Sequence, residues 1–253
     1  MIDVHAIQAF KDNYIWLIEF GQRQAVVVDP GDPVPVTKQL RERGLELCAI
    51  VVTHAHWDHV DGITTLRQLF PVPVYGPAKE AVTGLTHPLN EGQRIALGEL
   101  SLQVMEVPGH TKGHIAYHGD DVVFTGDTLF GAGCGRIFDG TAEQLYTSLQ
   151  RIARLPDETL NYCAHEYTES NLRFALAVEP NNPHVAERLE QTQAVRQRGG
   201  ATIPAPLWLE KQTNPFLRCH HPDVIAAASR YCKRALDNEL DVFTALRSWK
   251  DKF

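Results

Sequence analysis

Residues 53–59 read Thr-His-Ala-His-Trp-Asp-His and follow directly on the apolar run Ala49-Ile50-Val51-Val52. No other feature of the chain limits its fold as tightly. The side chains of His54, His56, Asp58 and His59 are imidazole and carboxylate donors of the kind that hold zinc, iron or manganese. The run ahead of them is rich in β-branched residues and unbroken, which predicts a buried strand. The donors then sit where that strand ends and its loop begins. Alternation along the backbone points neighbouring donors to different sides, so one loop can feed two ions. A lone histidine is ordinarily a core or surface residue. Four candidate donors within six positions, directly behind a strand, point to metal.

Three later segments follow the same plan. Leu102 to Val107 runs into Pro108-Gly109-His110, with His114 just beyond. Val122 to Phe124 runs into Thr125-Gly126-Asp127, and Leu160 to Ala164 runs into His165-Glu166-Tyr167-Thr168. Polar groups delivered from the carboxyl ends of strands are the usual way an α/β fold builds a site. His54, His56, Asp58, His59, His110, Asp127 and His165 divide into two sets of three plus one shared carboxylate, Asp127. Two-metal hydrolytic sites have this form, with ions ~3.5–4 Å apart. Cys163 lies two residues before His165, but a small buried strand residue is the better reading of it.

Composition excludes several alternatives. The chain has 253 residues, 43% hydrophobic and 22% charged, enough for a sizeable core in one large domain or one domain plus a small one. A formal net charge of −7 argues against general nucleic-acid binding, which wants a basic face. No apolar run approaches the length of a membrane-spanning helix, and the first residues lack the basic and apolar regions of an export signal. A cytoplasmic protein is expected. The five cysteines are odd in number and form no CxxC pair, so neither a disulfide framework nor a thiolate zinc site is indicated.

The first half alternates strand-like and helix-like segments. Tyr14 to Glu19 and Ala25 to Val28 read as a strand pair, Val36 to Arg43 as a helix stopped by Gly44, and Ile63 to Phe70 as a helix stopped by Pro71. Val74-Tyr75 begins a short strand, and Arg94–Leu97 with Leu100–Val104 suggests a hairpin around Gly98. Thr141 with Gln144 forms a capping box that opens a helix from Ala142 to about Leu155. Beyond His165 the pattern turns helical: 170–178, 184–198, 222–240 and 242–249, with a boundary near residue 168. Residues 199–206 read as a loop between helices.

The metal loop, the Pro108-Gly109-His110-Thr111 histidine, the Gly126-Asp127 aspartate and the late His165 resemble the metallo-β-lactamase superfamily over roughly the first two thirds of the chain. Four further stretches resemble the glyoxalase II (hydroxyacylglutathione hydrolase) family. They are residues 125–130 (Thr-Gly-Asp-Thr-Leu-Phe), 133–136 (Gly-Cys-Gly-Arg), 165–168 (His-Glu-Tyr-Thr) and 247–253 (Arg-Ser-Trp-Lys-Asp-Lys-Phe). Together these span nearly the whole chain. The resemblance implies an α/β fold: an αββα metallo-β-lactamase sandwich followed by a small all-α C-terminal domain. Residues 1–168 would form the catalytic domain and 169–253 an α-helical substrate-binding domain. It also implies two divalent metal ions per chain, zinc foremost with iron or manganese as alternatives. The implied reaction is hydrolysis of S-D-lactoylglutathione to D-lactate and glutathione, the second step of methylglyoxal detoxification. The expected partner is this small-molecule glutathione thioester, with no nucleic acid or membrane, and a monomer.

On this reading His54, His56 and His110 hold the first metal, Asp58, His59 and His165 the second, and Asp127 bridges. Asp58 and Asp127 are the catalytic carboxylates, acting with a metal-bound hydroxide. A metal-bound water has a pKa near ~7, which supplies a nucleophile without a protein base. The leaving thiol, with a pKa of ~8.5 in free cysteine, departs without a strong general acid. Asp29 either orients a ligand histidine or makes an Asx turn before Pro30. His114 either braces the site or caps a turn. By resemblance Arg136, Phe138, Tyr167, Arg247 and Lys250 contact glutathione, Arg247 and Lys250 sharing one helix face. Some relatives carry Lys-x-Tyr where this chain has Arg136-Ile137-Phe138. The charge is kept and the hydroxyl lost, leaving at most a backbone contact at Phe138. Without the resemblance, a solvated basic helix end would be the favoured reading of Arg247 and Lys250. Rival readings are a lactonase or β-lactamase, a one-iron persulfide dioxygenase, a processing nuclease, or a metal module without hydrolase activity. The last has no use for a basic pair at the C-terminus.

Overall fold

A computed structural model describes residues 2–253. Its first strands are β1 (Asp3–Ala9), β2 (Asn13–Phe20) and β3 (Gln24–Val28), paired antiparallel in chain order. Helix α1 (Pro33–Arg43) returns the chain to β4 (Glu46–Val51), which lies parallel to β3. Helices α2 (Trp57–Val60) and α3 (Ile63–Leu69) lead to β5 (Val74–Pro77) and β6 (His87–Leu89), both added in parallel. The sheet order is β1-β2-β3-β4-β5-β6. Val36 and Leu40 of α1 and Ile63 and Leu66 of α3 join Ile15, Leu17, Val27, Ile50 and Val52 in one buried cluster. Val26, Val28, Ala49 and Val51, on the opposite face, are buried too. Burial on both faces is why β3 and β4 read as unbroken apolar runs.

Strands β7 (Arg94–Leu97), β8 (Leu100–Glu106), β9 (Ile115–Gly119) and β10 (Val122–Gly126) then pair antiparallel, each with the next. These elements belong to one compact unit, made of the residues up to Glu106 together with Lys112–Gly126.

The second compact unit comprises Val107–Thr111 and Asp127–Phe253. It holds the hairpin β11 (Leu129–Phe130) and β12 (Gly133–Cys134), helix α4 (Ala142–Ala153), and strand β13 (Leu160–Cys163). After these come α5 (Thr168–Val178), α6 (Pro183–Gln197) and β14 (Ala205–Pro206), the last antiparallel to β13. Helices α7 (Leu207–Thr213), α8 (Pro222–Cys232) and α9 (Glu239–Lys250) complete it, with a 3₁₀ turn at Pro215–Leu217. The fold is α/β with a helical C-terminal region, as the resemblance implies. No described helix is long and apolar enough to cross a membrane.

Local chemistry explains most element ends. The capping box forms in full: Gln144 N donates to Thr141 Oγ1 at 3.1 Å and Thr141 N donates to Gln144 Oε1 at 2.9 Å. Helix α1 starts three residues earlier than its apolar spacing suggests, because Asp32 accepts from Val34 N at 2.9 Å and Pro33 suits the first turn. Two expectations are corrected. The helix predicted over 222–240 stops at Cys232, where Lys233 turns left-handed at φ 56°, and α9 starts afresh behind the N-cap Asn238. The stop carries no glycine, so nothing in the sequence announces it. In the metal loop, Asp58 and His59 ride on the helical turn α2. A helical turn, not strand alternation, therefore sets where these two side chains point.

Within the first unit, Tyr117 on β9 is tied to the end of β4. Its hydroxyl donates to Val52 O at 2.6 Å. Burial first, then the Asp29 carboxylate, raises its pKa well above the usual phenol value, so it remains a donor. Tyr117→Phe should lower stability by about 1–3 kcal/mol, the cost of a buried carbonyl deprived of its donor. Urea unfolding measures this, and an unchanged midpoint would show the bond contributes nothing.

Candidate metal centre

Each selected donor follows the carboxyl end of a strand. His54 comes three residues after β4, His110 four after β8, Asp127 one after β10 and His165 two after β13. In the first unit His54 and His59 are fully buried, with ring centroids 4.1 Å apart. His54 Nε2 lies 3.0 Å from His56 Nδ1, and His59 Nε2 lies 3.7 Å from Asp58 Oδ2.

One carboxylate orients two of these rings. Asp29 Oδ1 accepts from Thr53 N and Oδ2 from Thr53 Oγ1, each at 2.7 Å, and His59 Nδ1 lies 3.0 Å from Oδ2. The Thr53 hydroxyl has given its proton to Asp29, so at 3.1 Å it accepts from His54 Nδ1. That fixes the tautomer: Nδ1 of His54 is protonated and Nε2 presents a lone pair. Of the two readings of Asp29, the inward-facing one describes the geometry. It sits at φ 53°, a left-handed conformation uncommon for aspartate. His114, also buried, stacks on His54 with centroids 4.5 Å apart and planes 18° apart.

Several groups in this unit carry no signal in the sequence. Asn13 Nδ2, from the start of β2, donates to Asp58 Oδ2 at 2.9 Å. Glu80 Oε2 accepts from Ala55 N at 2.5 Å, bracing the loop between His54 and His56. Both partners are distant in sequence, and an asparagine or glutamate without a motif announces nothing.

In the second unit Asp127 faces two histidines. Its Oδ2 lies 3.4 Å from His110 Nε2 and its Oδ1 3.3 Å from His165 Nε2. His110 Nδ1 donates to Arg136 O at 2.7 Å, so that in the neutral ring Nε2 is the lone-pair nitrogen. Tyr167 stacks on His165 at 4.9 Å with planes 2° apart. Burial pushes the Cys163 thiol well up, and its Sγ donates to His165 O at 3.6 Å, the behaviour of a buried strand residue.

By the donor atoms they offer, the seven side chains form two sets, His54, His56, His110 and Asp127, and Asp58, His59 and His165. This is a histidine and aspartate cluster compatible with binding two metal ions. The spacing within each unit fits such ions. Two ligands of one tetrahedral zinc, each ~2.0–2.1 Å from it, stand ~3.3–3.4 Å apart. The two Asp127 separations match. In the first unit the bare Nε2 of His54 lies 3.0 Å from a second imidazole nitrogen, a placement that needs a proton or a cation between them.

Comparison with known proteins adds the family. Residues 10–165 match the metallo-β-lactamase superfamily, and residues 166–253 match the hydroxyacylglutathione hydrolase C-terminus. The whole chain aligns at 51% identity with 97% of a hydroxyacylglutathione hydrolase of Nitrosomonas europaea. It aligns at 52%, over the full length of both, with one of Alkalilimnicola ehrlichii. The chain belongs to the hydroxyacylglutathione hydrolase family. Among solved structures, TTHA1623 in a di-iron-bound form is similar at 31% identity, with 60% of this chain and 87% of that one covered and a TM-score of 0.53.

The family's C-terminal residues are placed unevenly. Arg136 is exposed, its Nε 3.7 Å from Asp251 Oδ1. Phe138 is 64% exposed and sets its ring edge-on to His110, while its N–H donates to His110 O at 3.0 Å. The Phe138 N–H is thus already engaged within the chain. Arg247 and Lys250 share α9 but differ in setting. Arg247 is 7% exposed, and its Nη1 donates to Cys134 O at 3.1 Å while Nη2 donates to Asp251 Oδ1 at 3.0 Å. That is not a solvated helix end. Lys250 lies over the Phe174 and Phe253 rings, 5.5 and 5.6 Å from their centroids. Burial first, then the Arg247 charge, lowers its pKa below the usual lysine value.

Thr53→Val removes the hydroxyl that links His54 to Asp29 and keeps the side-chain shape. Loss of such an outer hydrogen bond typically costs ~10–100-fold in metal affinity. Competition with a chromogenic chelator reads the change. Parent-like affinity would show that Asp29 and Thr53 do not set the ring.

Proposed function

We propose that His54, His56 and His110 hold one divalent ion, that Asp58, His59 and His165 hold a second, and that Asp127 bridges them. The observation that carries this is the Asp127 carboxylate, whose two oxygens each face a histidine of a different set. Zinc is the ion the donor set fits first, and iron and manganese accept the same donors. Bound there, the two ions supply an acidified water as nucleophile and a Lewis acid for the thioester carbonyl.

The chain is an enzyme, a thioester hydrolase of the hydroxyacylglutathione class. The family's reaction converts S-D-lactoylglutathione to D-lactate and glutathione, the second step of methylglyoxal detoxification. The chain's own residues position rather than protonate. Asp58, held by Asn13, and Asp127 orient the attacking water. The leaving glutathione thiolate, with a parent pKa of ~8.5, departs without a proton donor. Residues 1–168 act as the catalytic domain and 169–253 as the substrate-binding domain. Arg136, Phe138, Tyr167, Arg247 and Lys250 receive glutathione, with Arg136 and Lys250 offering charge to its carboxylates and Arg247 fixing the backbone at Cys134. The net charge of −7 suits a small-molecule partner rather than nucleic acid. We take the enzyme to work as a cytoplasmic monomer, apart from membranes.

Hydrolysis of S-D-lactoylglutathione, followed as loss of thioester absorbance, tests the reading. Activity should vanish on metal removal and return with zinc. Full activity of rigorously metal-free protein would end it. The ligand sets are separable: Asp127→Ala should weaken both ions together, and His165→Ala chiefly one. Equal loss of both ions in His165→Ala would contradict the partition.

Lys250 gives a pH test. A lowered pKa means its ammonium is lost earlier as pH rises than in an ordinary lysine. The KM for S-D-lactoylglutathione should therefore climb with pH below the ordinary lysine range, and Lys250→Arg should move the climb higher. Lys250→Ala should raise KM roughly tenfold or more, the loss of a charge-assisted bond of ~1.5–3 kcal/mol, with kcat less affected. An unchanged KM would remove Lys250 from the binding set.

A further inference from the structure

Glu210 is fully buried on α7, apart from the proposed metal donors and glutathione contacts in the chain. Its charge is met by Arg188 of α6, whose Nη2 donates to Oε1 at 2.5 Å and whose Nη1 donates to Thr213 Oγ1 at 2.6 Å. A buried ion pair is expensive to desolvate and is a weak source of stability. The second carboxylate oxygen shows what this pair does. Oε2 accepts from Ala132 N at 2.8 Å and from Asn214 Nδ2 at 3.2 Å.

Ala132 and Gly131 form the turn of the β11–β12 hairpin. Ala132 holds φ 52°, a left-handed conformation that a side chain adopts only when its surroundings impose it. The surroundings are side chains of the C-terminal helices. Asn171 Nδ2 donates to Gly131 O at 3.0 Å, Asn214 Nδ2 to Gly133 O at 2.9 Å, and Arg247 Nη1 to Cys134 O at 3.1 Å. The approach is close: a Cβ on Gly133 would stand 2.3 Å from Asn171 Nδ2.

The hairpin adjoins two of the proposed metal ligands, Asp127 and His110. Asp127 lies at its entry. At its exit Gly135 N donates to Thr128 O at 3.1 Å, and the next carbonyl, Arg136 O, accepts from His110 Nδ1 at 2.7 Å. A Cβ on Gly135 would stand 1.9 Å from Asp127 O, so entry and exit cannot shift independently. A turn fixed at Ala132 therefore sets Asp127 directly and His110 through a carbonyl, over roughly 16 Å of extended chain at about 3.3 Å per residue.

We propose that Glu210, held by Arg188, is a positioning residue of the metal centre: it clamps the β11–β12 turn through Ala132 N–H and so fixes Asp127 and His110. This rests on those two residues being metal ligands. The C-terminal helices then shape the metal centre as well as receive glutathione.

Two variants and one control test it in the full chain loaded with Co(II), whose visible spectrum reports ligand geometry. Glu210→Gln cannot satisfy both ends, since the amide sets a donor against Ala132 N–H or against Arg188 whichever way it turns. The double variant Glu210→Leu, Arg188→Met replaces the pair with apolar groups of similar volume, a change such sites often tolerate. It leaves Ala132 N–H without its acceptor. Both should keep the circular dichroism and cooperative melting of the parent. Both should change the Co(II) absorption and lower Co(II) affinity in chelator competition by ~10–100-fold. The kcat should fall while KM for S-D-lactoylglutathione stays near the parent value. Val224→Ala, a cavity in α8 with comparable loss of melting temperature, should leave the spectrum unchanged. A parent spectrum and affinity in either folded variant overturns the clamp. So does a spectral change in the Val224 control equal to theirs, or loss of the folded state in both variants, which would make the pair purely structural. A parent chain that binds fewer than two Co(II) ions condemns the binuclear reading instead.

Discussion

The Asp127 carboxylate is the interaction on which the rest of the structure depends. It is buried, and each of its oxygens faces the Nε2 of a different histidine at 3.3–3.4 Å. A charged group so placed needs cations or protons beside it. The two histidines beside it are held in place. His110 is pinned through Nδ1 to Arg136 O, and His165 is stacked under Tyr167. A carboxylate so held suits the bridging place proposed for it, and the hairpin that follows it is tied down from both ends.

A second carboxylate plays the matching part in the first unit. Asp29 touches no proposed metal position, yet it sets His59 directly and His54 through Thr53. Orientation of a ring by its distal nitrogen costs little space and decides which nitrogen carries the lone pair. The same device appears at His110 with a backbone carbonyl in place of the carboxylate. Three candidate ligands are thus oriented from their far sides, His54 and His110 by hydrogen bonds and His59 by close contact with a carboxylate. The cations proposed to receive glutathione differ in setting: Arg136 is exposed, Lys250 half-buried over aromatic rings, and Arg247 turned inward to the backbone of β12.

The donors were legible because metal binding compresses information into short strings. His54, His56, Asp58 and His59 lie within six positions, and each later donor follows an apolar run. The capping box at Thr141 was equally legible, since both its partners lie within one turn. What escaped depends on separation along the chain. Asn13 reaches Asp58 across forty-five positions, and Glu210 reaches Ala132 across seventy-eight. Strand β1 escaped because only Ile7 and Ala9 of its seven residues are buried, so its alternation is too faint to count. The break between α8 and α9 escaped because Lys233 takes a left-handed conformation that sequence reserves for glycine or asparagine. Arg247 was legible as a cation, but its burial against Cys134 was not, because a charge on a helix face does not say which face is covered.

Anomalous difference density from crystals of the zinc-loaded enzyme tests the central claim most directly. Two peaks ~3.5–4 Å apart are predicted. Asp127 Oδ1 should bind the peak shared with His165, and Oδ2 the peak shared with His110. A single peak, or two peaks with Asp127 bound to only one of them, would contradict the account.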